Sequence, residues 1–304
     1  MQNELRKSYD SEGWSLISQI EPSAVGCALC PGSEDKTKET FRIEDEKGKW
    51  IVRSIVDPYP LTHPSIFKIK ENERIYETFS AHGWSEIVTE TRDHAKELHE
   101  LSADEIKNIL LVYINRVKEL QKRENVEFIG ILKDNLHIEF NHSYSRILTL
   151  PIVPEYIKEK INKFNDYLFK NEKCLYCDLI KKEKESPRFI FENDSFIAFV
   201  PFSQINNYEV WILPKKHYQS ITDLSTFEVF TLAETIKNIL SRLKAALSPF
   251  QYGMAFYIKP KNEKDFHFHI KIFQKTIPPT LKESYGINLC KLTPENVAKI
   301  LRGK

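Results

Sequence analysis

No long apolar run occurs in the 304 residues: the longest, Ile109 to Ile114, falls far short of the about 20 residues a membrane-crossing helix needs. Nor is there an excess of charge of one sign. The 44 basic and 43 acidic side chains leave a formal charge of +1 and a pI near 7.6, so no global field draws the chain to nucleic acid or acidic lipid. Any anion must be held by a local site. The first residues, Met1-Gln2-Asn3-Glu4-Leu5-Arg6, lack an apolar signal core. These absences predict a cytoplasmic protein with neither a membrane nor a nucleic-acid partner. Cysteine is scarce too, but four of the five form two Cys-x-x-Cys pairs, Cys27/Cys30 and Cys174/Cys177. In a reducing compartment such pairs suit metal knuckles better than disulfides.

What is present is a doubling. Glu86, His94, Ser102 and Glu105 map onto Glu209, His217, Ser225 and Glu228 with one constant shift of 123 residues. Each unit reads as strand, turn and helix. Ser102-x-x-Glu105 and Ser225-x-x-Glu228 are capping boxes at helix starts, and apolar residues follow at helical spacing, Ile106 to Val117 and Leu232 to Leu243. Two strands are expected after each helix, Phe128 to Leu132 with Leu136 to Phe140, and Tyr252 to Ile258 with Phe266 to Phe273. The fold class is α+β: one unit of helices packed on antiparallel strands, repeated in residues 1–165 and 166–304. The polar stretch Glu155 to Lys173 between them predicts a solvated helix.

Cysteines and histidines fall into register as well. One half has Cys27, Cys30, His94 and His142; the other has Cys174, Cys177, His217 and His267. Two thiolates and two neutral imidazoles fill a tetrahedral zinc shell and leave no open position, so structural zinc is expected, one or two ions per chain. His63, His82, His99 and His137 have no registered counterpart and are expected at surface or structural positions.

Phe266-His267-Phe268-His269-Ile270-Lys271 alternates, so on a strand His267, His269 and Lys271 share a face. One histidine stands at the metal, the next about 7 Å along, and a cation lies beyond. A neutral imidazole is a competent nucleophile toward phosphorus, and the lysine can steady the phosphate it attacks. The first half has His142-Ser143-Tyr144-Ser145-Arg146 at the matching place, with Tyr144 where the second histidine should be.

These segments, with Val200 to His217 and landmarks such as Cys27-Ala-Leu-Cys30-Pro-Gly and Trp50-Ile-Val-Arg53, resemble the histidine-triad superfamily. More closely, they resemble its doubled branch, the galactose-1-phosphate uridylyltransferases and ADP-sugar phosphorylases. The resemblance implies a histidine-triad-like fold duplicated in one chain. It also implies a nucleotidyl transfer in which a histidine attacks the α-phosphate of a nucleoside diphosphate sugar, and a phosphate or sugar phosphate then removes the nucleotide. In that family the first half carries His-Pro-His-x-Gln, with the second histidine as nucleophile. Here Tyr144 and Arg146 replace the nucleophile and the phosphate-contacting glutamine. The expectation is therefore that chemistry has moved to His269, with Lys271 on the phosphate and with Tyr144, Ser145 and Arg146 contacting nucleotide in the first half. The alternative is a zinc-stabilised nucleotide-binding pseudoenzyme, and a homodimer is left open.

Overall fold

The computed structural model describes residues 3–18, 27–65, 76–136 and 140–303. In chain order the strands are β1 (Glu4–Lys7), β2 (Trp14–Ile17), β3 (Glu39–Glu44), β4 (Trp50–Val56), β5 (Thr78–Ser80), β6 (Ser85–Thr89), β7 (Phe128–Asp134) and β8 (Tyr144–Leu150) in the first half. The second half has β9 (Phe189–Glu192), β10 (Phe196–Phe199), β11 (Val210–Pro214), β12 (Tyr252–Tyr257) and β13 (His269–Gln274). The helices are α1 (Ala103–Leu120), α2 (Glu155–Asn171), α3 (Leu175–Lys184), α4 (Thr226–Ala246), α5 (Thr280–Tyr285) and α6 (Pro294–Leu301).

The doubling is visible in the topology. Ten strands form one antiparallel sheet in the order β3-β4-β6-β8-β7-β12-β13-β11-β10-β9, so each half repeats the same internal order and the halves join where β7 pairs with β12. The helices α1 and α4 start at the expected capping boxes, Ser102 with Glu105 and Ser225 with Glu228. They bury Ile106, Ile109, Tyr113, Leu232, Ile236 and Leu240 in one core that runs across both halves. Ile147 of β8 and Phe268, Ile270 and Ile272 at β13 point into that core. By alternation Tyr144, Arg146, His267, His269 and Lys271 project from the opposite face.

Two expectations change. Leu136 lies in a turn and Phe140 in no strand, while residues 137–139, His137 among them, fall outside the described residues; among the described residues the strand that pairs with β7 after the turn is β8 at Tyr144–Leu150. Asn135 ends β7, since its side chain accepts from Tyr252 N–H at 2.7 Å and donates to Phe250 O at 3.0 Å. The segment Glu155 to Lys173 is a helix as expected, α2, but it is not solvated all round. It buries Ile157, Ile161 and Phe164, one stripe at helical spacing, and it runs through residues 165 and 166 without a break.

Candidate functional site

Both sets of metal-type ligands converge. In each cluster the two sulfurs and two imidazole nitrogens all lie within 4.8 Å of one another. Zinc bonds of about 2.3 Å to sulfur and about 2.0 Å to nitrogen in a tetrahedron place S and N about 3.5 Å apart. Cys27 and Cys30 lie 3.6 and 3.7 Å from His142 Nδ1, and Cys30 lies 3.2 Å from His94 Nδ1. The second cluster gives 3.5 Å for Cys174 to His267 Nδ1, 3.7 Å for Cys177 to His267 Nδ1 and 3.6 Å for Cys177 to His217 Nδ1. The donor set and its spacing therefore fit a tetrahedral ion, and either cluster can hold one. The buried histidines are oriented from behind: His142 Nε2–H donates to Thr91 O at 2.8 Å and His267 Nε2–H to Pro214 O at 3.1 Å, which leaves each Nδ1 lone pair toward the sulfurs. Burial holds His267 down to about 4, so it is a neutral ligand at pH 7.

If both clusters are occupied, metal analysis of protein purified without chelator gives about two ions per chain. Cys27→Ser or Cys174→Ser should each remove one ion and lower the thermal midpoint, because ligand binding energy is folding energy here. Unchanged metal content and midpoint in both variants would mean that these cysteines are not ligands.

In the second half, His267, His269 and Lys271 share one face as expected, but that face is covered. His269 has no exposed surface. Its ring stacks on Tyr257 at 4.5 Å and Tyr176 at 4.8 Å, with Trp211 at 5.7 Å. Helix α2 closes the cover: Ile157 and Ile161 cluster with Phe266 and Tyr257, and Phe164 packs on Tyr176. His269 Nδ1–H donates to His267 O at 2.9 Å, fixing the ring with Nε2 as the bare lone pair. Burial and then Lys271 hold the imidazole neutral, well below its usual range. Lys271 Nζ sits 4.0 Å from the Trp211 ring centre and 3.6 Å from Glu209 Oε1, and burial pulls it down to about 7. His269 Nε2 and Lys271 Nζ are both buried without a hydrogen-bond partner among the described residues.

The first-half residues are separated. Ser145 points under α1, where Tyr113 OH donates to its Oγ at 2.6 Å. Arg146 points the other way, and its Nε donates to the buried Asp57 carboxylate at 2.9 Å, which also accepts from Ser85 Oγ at 2.7 Å. The pair therefore does not form one phosphate cradle, because neighbours on a strand face opposite sides. Tyr144 is buried against Leu29, Ile55, Ile87 and Phe140. Removing the guanidinium in Arg146→Ala should cost about 3 kcal/mol by stranding Asp57, read as a lower denaturant midpoint. No change would show that Asp57 is satisfied without it.

Periodicity and composition gave no sign of a buried network behind the first cluster. Lys133 Nζ donates to Glu90 Oε2 at 2.7 Å, to Ser143 Oγ at 3.1 Å and to Tyr144 O at 3.1 Å. Asp265, whose Oδ1 accepts from His217 Nε2–H at 2.8 Å, was equally unmarked. Its one local sign is a carboxylate two residues before a ligand histidine.

A continuous sheet of two equivalent halves, each with its own Cys2His2 cluster beside β8 or β13, defines a class: an α+β unit of helices on antiparallel strands, duplicated in one chain. Residues 160–283 match the family described as galactose-1-phosphate uridyl transferase, C-terminal domain. The chain is 24% identical to an ADP-glucose phosphorylase of Arabidopsis thaliana, over 92% of this chain and 82% of that one. It is 26% identical to a galactose-1-phosphate uridylyltransferase of Thermotoga maritima, over 88% and 86%. A solved uridylyltransferase structure superposes with a TM-score of 0.88 at 26% identity, covering 99% of this chain and 97% of its own. An ADP-glucose phosphorylase of Arabidopsis thaliana solved with bound ADP-glucose shares the fold, with a TM-score of 0.81 at 23% identity. Within its class the chain thus resembles the galactose-1-phosphate uridylyltransferases and ADP-glucose phosphorylases, the family-model match lying in its second half. Among the described residues no helix is long and apolar enough to cross a membrane.

Proposed function

We propose that this chain is a cytoplasmic nucleotidyltransferase of the galactose-1-phosphate uridylyltransferase type, acting on a nucleoside diphosphate sugar with a phosphate or sugar phosphate as acceptor. The two halves, 1–165 and 166–304, each hold one zinc ion that fixes the strand beside it and takes no part in bond making. His269 is the nucleophile. Its Nε2 attacks the α-phosphorus, an N–P bond forms as the P–O bond to the β-phosphate breaks, and the sugar phosphate leaves with the electron pair. An acceptor phosphate oxygen then attacks the same phosphorus and breaks the N–P bond, freeing His269. Lys271 sits where it can oppose the charge on the transferring phosphoryl group. The single observation that carries this assignment is that His269 Nε2 and Lys271 Nζ lie along one strand face, both buried and both without a hydrogen bond among the described residues. A buried polar group without a partner calls for an explanation, and the phosphate oxygens of a bound nucleotide would supply one for both atoms.

A second reading rests on the cover over that face. Exposing Ile157, Ile161 and Phe164, at about 1.5–3 kcal/mol each, costs roughly 5–9 kcal/mol, so the open form is rarer by at least about three decades unless nucleotide binding offsets it. A chain that never opens is a nucleotide-binding pseudoenzyme, with Arg146 and Tyr144 in its first-half contacts. Incubation with a panel of nucleoside diphosphate sugars plus phosphate or sugar phosphate separates the two. Consumption of one sugar nucleotide supports transfer, whereas saturable binding without turnover supports the pseudoenzyme.

A further inference from the structure

The two clusters differ in how their exposed histidine is held. His142 and His267 are buried and braced alike by backbone carbonyls. His217 is exposed, yet its Nε2 donates to Asp265 Oδ1 at 2.8 Å. That oxygen is itself fixed by Gln219 Nε2 at 3.0 Å and by Phe266 N–H at 2.8 Å. His94 is also exposed, and its second nitrogen has no hydrogen-bond partner among the described residues. The neighbouring Asp93 turns its Oδ1 to Ala95 N–H instead.

Resting on the metal reading above, we propose that Asp265 is the positioning residue that makes the second metal site slow to open, and that the two sites release metal at different rates. An ion leaves a closed shell by stepwise unhooking of ligands, and the solvent-exposed histidine is the arm that swings first. A carboxylate behind that arm holds the ring in its ligating orientation and raises its basicity; loss of such a partner typically costs ten- to a hundred-fold in metal binding. His94 swings without that restraint, so the first site empties first.

The experiment uses the full-length, zinc-loaded chain mixed with an excess of a chromogenic chelator. The expected trace has two phases, one ion in each. In Asp265→Asn the slow phase should accelerate about ten- to a hundred-fold while the fast phase keeps its rate. Gln219→Leu leaves the carboxylate but removes one of its supports, and should accelerate the slow phase by less; it serves if Asp265→Asn does not fold. General damage to the protein would move both phases together, and that result would overturn the inference. So would a single rate for both ions in the parent, or a slow phase unchanged in both variants. A chain that purifies with no metal at all would instead overturn the metal reading, and this inference with it.

Discussion

Replacing Lys133 with Met is expected to destabilise the protein by about 3–5 kcal/mol, read from the shift of its denaturant midpoint at constant slope. Lys133 and Glu90 are fully enclosed at the side chain, 2.7 Å apart, beneath α1. Glu90 also accepts from Ser143 Oγ at 2.7 Å, and Tyr113 OH lies 3.4 Å from its other oxygen. Losing the ammonium leaves a carboxylate with only hydroxyl partners in a medium that solvates charge poorly. The network also adjoins the first metal cluster, since Ser143 follows the ligand His142 and Glu90 precedes Thr91, whose carbonyl braces His142. Lys133→Met should therefore loosen metal at the first cluster as well. The double variant Lys133→Met/Glu90→Leu should recover most of the lost stability, because the cost lies in the stranded charge and not in losing the pair. A Lys133→Met midpoint within about 0.5 kcal/mol of the parent would show that the pair contributes nothing.

The second large effect concerns the proposed nucleophile. His269→Ala should reduce nucleotidyl transfer by several orders of magnitude, as loss of a nucleophile does elsewhere, whereas Tyr144→Phe should leave most of it. The two residues occupy matching places on β13 and β8, but only His269 presents a neutral imidazole with one nitrogen committed to a backbone carbonyl and the other bare. Tyr144 is packed in an apolar cluster, which offers a phenolate no solvation. Turnover of the best sugar nucleotide, measured for both variants at equal metal content, checks this. Activity that followed Tyr144 would move the site to the first half.

Local and repeating features are legible in the order of residues alone. The constant shift between Glu86, His94, Ser102 and Glu105 and their partners marks the duplication, and the capping boxes locate both long helices. The two Cys2His2 sets assemble as the register demands, since each ligand type is rare enough to be matched by position. What escapes has no local period. Arg146 meets Asp57 from 89 residues away and Lys133 meets Glu90 from 43 away, and a charged residue on a strand reads the same whether it faces water or a buried partner. β8 is hidden because Ser145, Arg146 and Thr149 interrupt its apolar residues, so its seven positions show neither a continuous apolar run nor a strict alternation. The stripe of α2, Ile157, Ile161, Phe164 and Leu168 at helical spacing, marks a buried face, but nothing in its order says that His269, more than 100 residues later, is what it covers.

The most direct test of the central claim is to look for the covalent intermediate itself. The zinc-loaded chain is incubated with nucleoside diphosphate sugars labelled at the α-phosphate, without acceptor, then denatured and examined for label on protein. A nucleotidyl-histidine at His269 predicts acid-labile label from at least one sugar nucleotide, discharged by phosphate or sugar phosphate and absent from His269→Ala. Saturable binding of the same nucleotides with no label on the parent protein would contradict it.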